Sequence, residues 1–480
     1  MEQRKSYKNA KGKAQAGQTS ARPNTEVLYD GGLSRSSEEA FVMKVERRAG
    51  VVQLELPMST RKGMSAGFST KSVPITKDMV WSAYKKVAAN KGAAGIDNLD
   101  MATYNERKSA NLYKLWNRLA SGSYQAPAVL EVGIPKDDGK IRYLGIPTIS
   151  DRIAQQVIKS YLEPRFEKEF HKSSYGYRPG RNQHQALAQV QKHVRKFGWV
   201  VDMDISGFFD NVSHKLLLKA VEKHVSEKWV KMYITRWLQA PVQDKDGNIK
   251  EREGKGTPQG GVISPLLANL FLHYVVDRWL DIHHPEVQFV RYADDIIIHC
   301  ENQAKAEQVL RNVKQRLSES GLKANEQKTK IVFCKNANRK STYKTVKFDF
   351  LGYSFQPRPT ATKEGKMFLS YDCAISRKSE KKIGDKIKAT KLHLKTESSL
   401  EQIAKLFNAQ QRGWINYYGK FRKYMLRRVF KIFNNRLLKW AIKRHKRFKG
   451  SRVKARRWLL GIAEVNPNLF VHWQCGFQTA

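Results

Sequence analysis

Two adjacent carboxylates, Asp294 and Asp295, stand between the apolar runs Phe289-Val290-Arg291-Tyr292 and Ile296-Ile297-Ile298. β-Branched and aromatic residues on either side of so short a polar pair predict strand, tight turn, strand, with both acids at the tip. Side by side, the acids repel unless a positive charge faces them, and a divalent cation is the usual answer. Asp is also a common turn residue, so a solvated acidic turn is the plain alternative. A second acidic strand weighs against it. Gly198 to Ile205 is apolar but carries Asp202 and Asp204, which share a face by period 2. Solvent-side acids on a half-exposed strand are the other reading of that pair. If the strands of Asp204 and Asp294 lie in one sheet, their carboxylates can hold two divalent ions about 3.5–4 Å apart. Polymerases and nucleases use that arrangement for phosphoryl transfer. Donors that are all oxygen favour Mg2+.

Other residues suit the same chemistry. Val129 to Ile134 and Lys140 to Ile146 read as a hairpin turned at Asp138-Gly139, and Lys140 and Arg142 fall on one face of its second arm. Two cations there suit a triphosphate; a solvated basic edge fits equally well. Gly260-Gly261 lets the backbone approach a partner closely. Ser174 to Arg181 alternates aromatics and arginines, which can stack on bases and hold phosphates or form an irregular connection. The Gly-rich stretch Asn90 to Asp97 lacks both the Walker Lys-Ser/Thr and a preceding strand, which excludes nucleotide binding by that route.

The elements that must position these residues belong to a chain of 480 residues, long enough for two to four domains. Its formal net charge of +44 would self-repel without a polyanion, and nucleic acid is the expected one. A membrane surface is the rival, but no run of about 18 apolar residues and no lipidation motif is present. The four cysteines (Cys300, Cys334, Cys373, Cys475) form no C-x-x-C pair, which argues against zinc ribbons and a disulfide framework. His283-His284 lacks the spacing of a helical metal pair.

Residues 1–75 mix Gly, Ser, Thr and charge without periodicity and read as a basic, flexible extension. Helices are expected from Thr76, around Leu112 to Leu119, over Asp151 to Phe170, over His184 to Phe197 and over Gln303 to Ser318. Ser264-Pro265 reads as an N-cap with a proline in the first turn. Phe348 to Tyr353 is the last clear strand. Beyond about 375 the chain turns helical and basic, with a capping box at Ser398-Ser399-Leu400-Glu401. Phe421 to Leu460 holds sixteen Lys or Arg and no acid, yet Met425, Val429, Ile432, Phe433, Leu437, Trp440 and Ala441 recur at helical spacing. One face packs inward while the rest presents a basic surface.

The ordered set from Ile134-Pro135-Lys136 through Arg142-Tyr143-Leu144-Gly145-Ile146-Pro147 and Tyr292-Ala293-Asp294-Asp295 to Phe350-Leu351-Gly352-Tyr353 resembles a reverse transcriptase. In particular it resembles the group II intron-encoded reverse transcriptase/maturase family. Asn90 to Asp97 is similar to that family's extra N-terminal block. Ser174 to Arg181, Thr257 to Leu270 and Arg412-Gly413-Trp414-Ile415-Asn416-Tyr417-Tyr418 are similar to it as well. The resemblance runs from about 78 to 475. It implies an α+β right-hand fold: fingers and palm with an antiparallel sheet over 76–370, then a helical thumb/maturase domain over 371–480 with a short basic C-terminal region.

The resemblance also implies roles. Asp204, Asp294 and Asp295 match the catalytic acids, and Ile205 offers a main-chain carbonyl to one of two Mg2+ ions, with Mn2+ as a substitute. Asp294 is expected to be the shared ligand, and Asp202 a supporting acid. Lys140 and Arg142 match residues that contact the incoming dNTP triphosphate. Phe209 matches an aromatic that excludes a ribose 2′-hydroxyl, although Phe208 and Phe209 can also be plain core residues. Gln259 and Gly260 match the loop beside the nascent base pair. Lys328 matches a lysine that protonates pyrophosphate, or is an ordinary surface lysine. Arg178, Arg181, Arg412, Arg427, Arg428, Lys443 and Arg444 are candidate RNA contacts.

The implied activity is RNA-directed DNA polymerisation by a protein that binds its group II intron RNA, assists splicing and copies the intron into DNA during retrohoming. Its partners would be the intron RNA, a DNA target and primer strand, and dNTPs, with no membrane. Monomer and dimer are both compatible. The bacterial cytoplasm beside the nucleoid is the expected location; Glu2 in the basic N-terminal stretch argues against an organelle transit peptide. Relatives often carry a C-terminal zinc-bearing H-N-H endonuclease, and the short tail here lacks paired cysteines. A nascent strand at a replication fork is one alternative source of primer. A domesticated enzyme of a defence or CRISPR-associated system is one alternative. A mainly RNA-binding splicing factor is the other, and the intact acids argue against it.

Overall fold

The computed structural model describes residues 73–478 apart from 91, 136–138 and 140, all within one compact unit running from Lys62 to Ala480. The expected N-terminal extension lies outside the described residues except at its end. There, Val73 and Ile75 are buried, so the packed fold begins slightly before the expected boundary.

The central sheet explains the apolar runs. Its four strands stand in the order Gln288–Tyr292, Asp295–Cys300, Trp199–Met203, Lys330–Phe333, each pair antiparallel. Val201, Met203, Ile296 and Ile298 pack into the large core on one face, while Val200, Val290, Ile297 and Val332 pack into a second core on the other. A sheet covered on both faces needs apolar residues at every position, which is why the triplet Ile296-Ile297-Ile298 does not alternate. The register sets Met203 opposite Ile296 and Tyr292 opposite Asp295. The ends of two acidic strands thus meet at one sheet edge.

Helices Ile149–Glu169 and Ser264–Leu272 cover the large core. The second helix holds Pro265 in its first turn, as expected, but its cap differs. Ser264 does not cap the helix; its hydroxyl accepts a hydrogen bond from the Thr257 hydroxyl at 2.9 Å and ties the preceding loop down. The helix continues through a π-helical turn, His273–Asp277, into Arg278–His283. Extra backbone there re-aims one side chain, and such turns concentrate at functional sites.

A second sheet carries the expected hairpin, Val129–Pro135 and Ile141–Ile146, extended by the short strands Val242–Gln243 and Ile249–Lys250. A third sheet continues well past Tyr353: Phe348–Phe350, Tyr353–Ala361 and Met367–Ile375. Pro357 and Pro359 hide its middle strand from sequence reasoning. They are tolerated because only Tyr353, Ser354 and Phe355 of that strand pair on both sides, leaving a free edge where the prolines sit. The expected domain boundary at 370/371 falls inside Met367–Ile375, and the helical region instead begins at the Ser376 cap of Arg377–Ala389. That region has a core of its own, built from Leu400–Tyr418, Arg427–Arg444 and Arg452–Val465. Its capping box lies one residue later than expected, with Ser399 capping and Gln402 answering. The predicted stripe is buried at Val429, Phe433, Leu437, Trp440 and Ala441, with Met425 and Ile432 partly buried against it.

Candidate active site

The acidic hairpin turns through Ala293 and Asp294. Ala293 has φ +58°, a left-handed conformation that ordinarily favours Gly. Something must hold it there. Arg291, fully buried, donates from Nη1 to the Ala293 carbonyl at 3.1 Å. The same guanidinium donates through Nε (2.7 Å) and Nη2 (2.5 Å) to Asp277 of the π-turn, also fully buried, and through Nη1 to Asn269 Oδ1 at 2.9 Å. Asn269 in turn donates to the Gly176 carbonyl at 2.7 Å, and a Cβ on Gly176 would lie 2.5 Å from the Ala293 nitrogen. Backbone bonds from Arg291 N to Ser173 O and from Tyr175 N to Arg291 O complete the clamp. Sequence reasoning missed Arg291, Asp277 and Asn269. The available signal was a full charge inside each of two apolar elements, since buried charges need partners.

The acids crowd one another at this edge. Burial, then the neighbouring Asp294 and Asp204, pushes Asp295 up to about 7. Burial, with Asp204 adding to it, also raises Asp294. Asp202 is pushed up to about 7 by burial, against the pull of Lys330 at 3.5 Å. Asp204 Oδ2 accepts from Lys328 Nζ at 2.9 Å and from Asn325 Nδ2 at 3.1 Å. The Lys328 side chain is 61% exposed and sets its ammonium against one of the acids. Backbone bonds from Asn325 N to Asp204 O and from Ser206 N to Lys323 O flank Ile205, so that ladder leaves the Ile205 carbonyl unused.

Lys140 lies outside the described residues. Arg142 is exposed and donates from Nε to Gln259 Oε1 at 2.8 Å, while Gln259 Nε2 reaches Asp210 at 3.5 Å. These residues line a cleft of about 770 Å³ together with Tyr143, Arg252 and Lys255. Gly260 has φ +122° and its Cβ position is filled by the Gly145 carbonyl, so the close backbone partner expected of this loop is the hairpin carrying Arg142. Phe208 and Phe209 are both buried, with ring centroids 5.3 Å apart, and Phe208 also faces Phe271. Tyr177 is half exposed at φ +56°, and burial followed by the field of Asp294 raises its phenol.

The candidate RNA contacts divide. Arg178 is a correction. Its side chain is buried and its donors go to Glu167 (Nε 2.8 Å, Nη2 2.6 Å) and to the His171 and Ser174 carbonyls, so it braces the loop instead of meeting RNA. Arg181 donates to the Lys172 carbonyl at 3.1 Å and lies over Tyr175. Arg444 donates to the Thr396 and Ser398 carbonyls. Arg412, Arg427, Arg428 and Lys443 are exposed on the helical region.

The residues fit a divalent metal. Carboxylates whose proton affinity is raised by burial and mutual repulsion gain most from a cation, and an ammonium already sits on one of them. Among the described residues no group of three or more His, Cys, Asp or Glu side chains is arranged to hold a metal ion by itself. Water and phosphate oxygens would complete the shell, as is usual for Mg2+.

The carboxylates are carried on an α+β fold with antiparallel sheets and a helical C-terminal region. A reverse transcriptase (RNA-dependent DNA polymerase) family model matches residues 134–355, and a group II intron, maturase-specific domain model matches 380–458. Protein YkfC of Escherichia coli (strain K12) is 32% identical over 282 residues, 51% of this chain and 74% of YkfC. Group II intron-encoded protein LtrA of Lactococcus lactis subsp. cremoris is 33% identical over 202 residues, 42% of this chain and 33% of LtrA. A solved telomerase from Candida albicans aligns over 77% of this chain and 69% of its own at a TM-score of 0.41 and 13% identity, too slight a likeness to bear on activity. The chain belongs to the reverse transcriptases and carries the maturase-specific domain of group II intron proteins.

Two outcomes follow from the site. Arg291→Met strands Asp277 as a buried unpaired charge and should cost about 3–5 kcal/mol of stability in chemical unfolding; a loss below about 1 kcal/mol would show that the clamp bears no load. Asp295 shows the opposite sign. Its raised pKa means the folded state loses stability as pH climbs from the ordinary carboxylate range through about 7. Asp295→Asn cannot ionise, so at pH 8 without divalent cations it should melt about 2–4 °C or more above the native chain. Melting at or below the native chain would contradict that electrostatic picture.

Proposed function

We propose that this chain copies RNA into DNA at Asp204, Asp294 and Asp295, and that its helical region binds group II intron RNA and assists its splicing. The carrying observation is the pairing of Trp199–Met203 with Asp295–Cys300, which brings two acidic strand ends together beside Lys328. Mg2+, or Mn2+ in its place, would be held as two ions by the three carboxylates and the Ile205 carbonyl, and would supply Lewis acidity to the attacking primer hydroxyl and the leaving phosphates.

The chain's own residues supply the rest. Arg142 binds the dNTP triphosphate, and Gln259 orients Arg142 toward it; Lys140, outside the described residues, is proposed to share that role. The Phe209 ring, fixed against Phe208, limits room on the ribose 2′ side. The primer 3′-oxygen forms a bond to the α-phosphorus as the bond to pyrophosphate breaks, and Lys328 Nζ carries a proton that pyrophosphate can take. Residues 73–375 act as fingers and palm and 376–478 as thumb. Arg412, Arg427, Arg428 and Lys443 offer a basic face to the RNA. A DNA primer, a DNA target and a bacterial cytoplasmic setting complete the reading. No described helix is long and apolar enough to cross a membrane.

Asp294→Ala should abolish DNA primer extension on an RNA template while leaving affinity for the intron RNA unchanged. Extension surviving in the variant would overturn the catalytic assignment. Lost RNA binding would show that the acid supports the fold instead.

A further inference from the structure

Away from the carboxylates, a pocket of about 200 Å³ lies where the last sheet meets the helical region. Lys347, Arg358, Arg377 and Arg428 line it, with Glu380 as the only acid of the lining. It shares no residue with the acidic site, and it straddles the boundary between the two family regions.

Its charge is out of balance. Arg358 is buried, with 8% exposure, yet among the described residues no carboxylate comes within ion-pair distance of it. Its guanidinium makes only long bonds to neutral groups: Nε to the Asp372 carbonyl at 3.4 Å and Nη2 to the Ser354 carbonyl at 3.3 Å, with Gln356 turned to face Nη1 at 3.2 Å. The nearby Asp372 carboxylate is committed to Arg422 at 2.6 Å. Arg377 and Arg428 each stand 3.9 Å from Glu380 Oε2, at the far limit of ion pairing, and remain 75% and 53% exposed. A buried guanidinium without a counter-charge, beside two loosely held ones, is an anion site waiting for its anion. Glu380 adds a second feature, since its buried Oε1 has no hydrogen-bond partner. An acceptor beside a phosphate cradle wants a donor, and an RNA strand carries one next to every phosphate, the 2′-hydroxyl that DNA lacks.

We infer that this pocket binds one segment of an RNA sugar–phosphate backbone, with the phosphodiester on Arg358, Arg377 and Arg428 and a ribose 2′-hydroxyl donating to Glu380. The inference rests on the proposed RNA-binding function and adds to it a defined anchor at the junction of palm and thumb. In that position, the anchor would hold RNA against both parts of the protein at once.

The test measures fluorescence anisotropy of the full chain with a labelled single-stranded RNA and the DNA of the same sequence, across a salt series. The exposed pair Arg377→Gln/Arg428→Gln should flatten the slope of log affinity against log salt for RNA by about 0.7, the share of one phosphate contact on a single strand. Glu380→Ala should reduce the preference for RNA over DNA by about threefold or more, as expected for one lost hydrogen bond. Each variant is first matched to the native chain by melting temperature. Should Glu380→Ala unfold, Glu380→Leu, which fills similar space without an acceptor, is read in its place. An unchanged salt slope in the double variant overturns the phosphate site, and an unchanged RNA-to-DNA ratio in the Glu380 variant overturns the 2′-hydroxyl contact. If the native chain itself fails to bind RNA, the proposed function fails, which is a separate result.

Discussion

The buried ion pair between Arg291 and Asp277 is the interaction on which the rest depends. Its guanidinium reaches three structures at once: the π-turn behind the sheet, the Asn269–Gly176 contact that seats the 174–181 loop, and the carbonyl of strained Ala293. A pair buried this deeply contributes little net stability over an apolar substitute, because desolvation offsets the attraction. What it provides is geometry. Each nitrogen of the guanidinium has an acceptor, four bonds in all, and together they pin the acidic turn.

That fixed arrangement is costly on its own terms. Three carboxylates approach a common edge, and burial together with like charge raises two of them. Lys328 and Asn325 offset part of the cost on Asp204. The remainder is the kind of instability that functional sites retain, since relieving it would remove the reason a cation binds. The same logic recurs at the palm–thumb pocket with the sign reversed, where cations outnumber the single acid.

Much of this was legible in the sequence, and the failures have physical causes. The hairpin, the acidic strands and the basic amphipathic helix follow from period and composition, because burial on both faces or one face writes itself directly into residue order. The glycines of 260–261 correctly signalled a close approach. Arg178 misled because an arginine in a polar loop looks the same whether it faces solvent or a carboxylate and two carbonyls of its own surroundings. The strand after Tyr353 was hidden by two prolines that are harmless on a free edge. Arg291 and Asp277 were passed over because they lie 14 residues apart on different elements, and only the π-turn aims one at the other. Ser264 and Ser398 each failed by one position, for cap choice depends on which neighbouring hydroxyl or amide competes.

The central claim is that this clamp holds a metal-dependent site that copies RNA. The most direct measurement is single-nucleotide incorporation by the full chain on a DNA primer annealed to an RNA template, with pyrophosphate assayed alongside. The account predicts one complementary deoxynucleotide added per pyrophosphate released, abolished by a chelator and restored by Mg2+. Primer–template that is bound but never extended with Mg2+ or Mn2+ present, or extension that persists in the chelator, would contradict it.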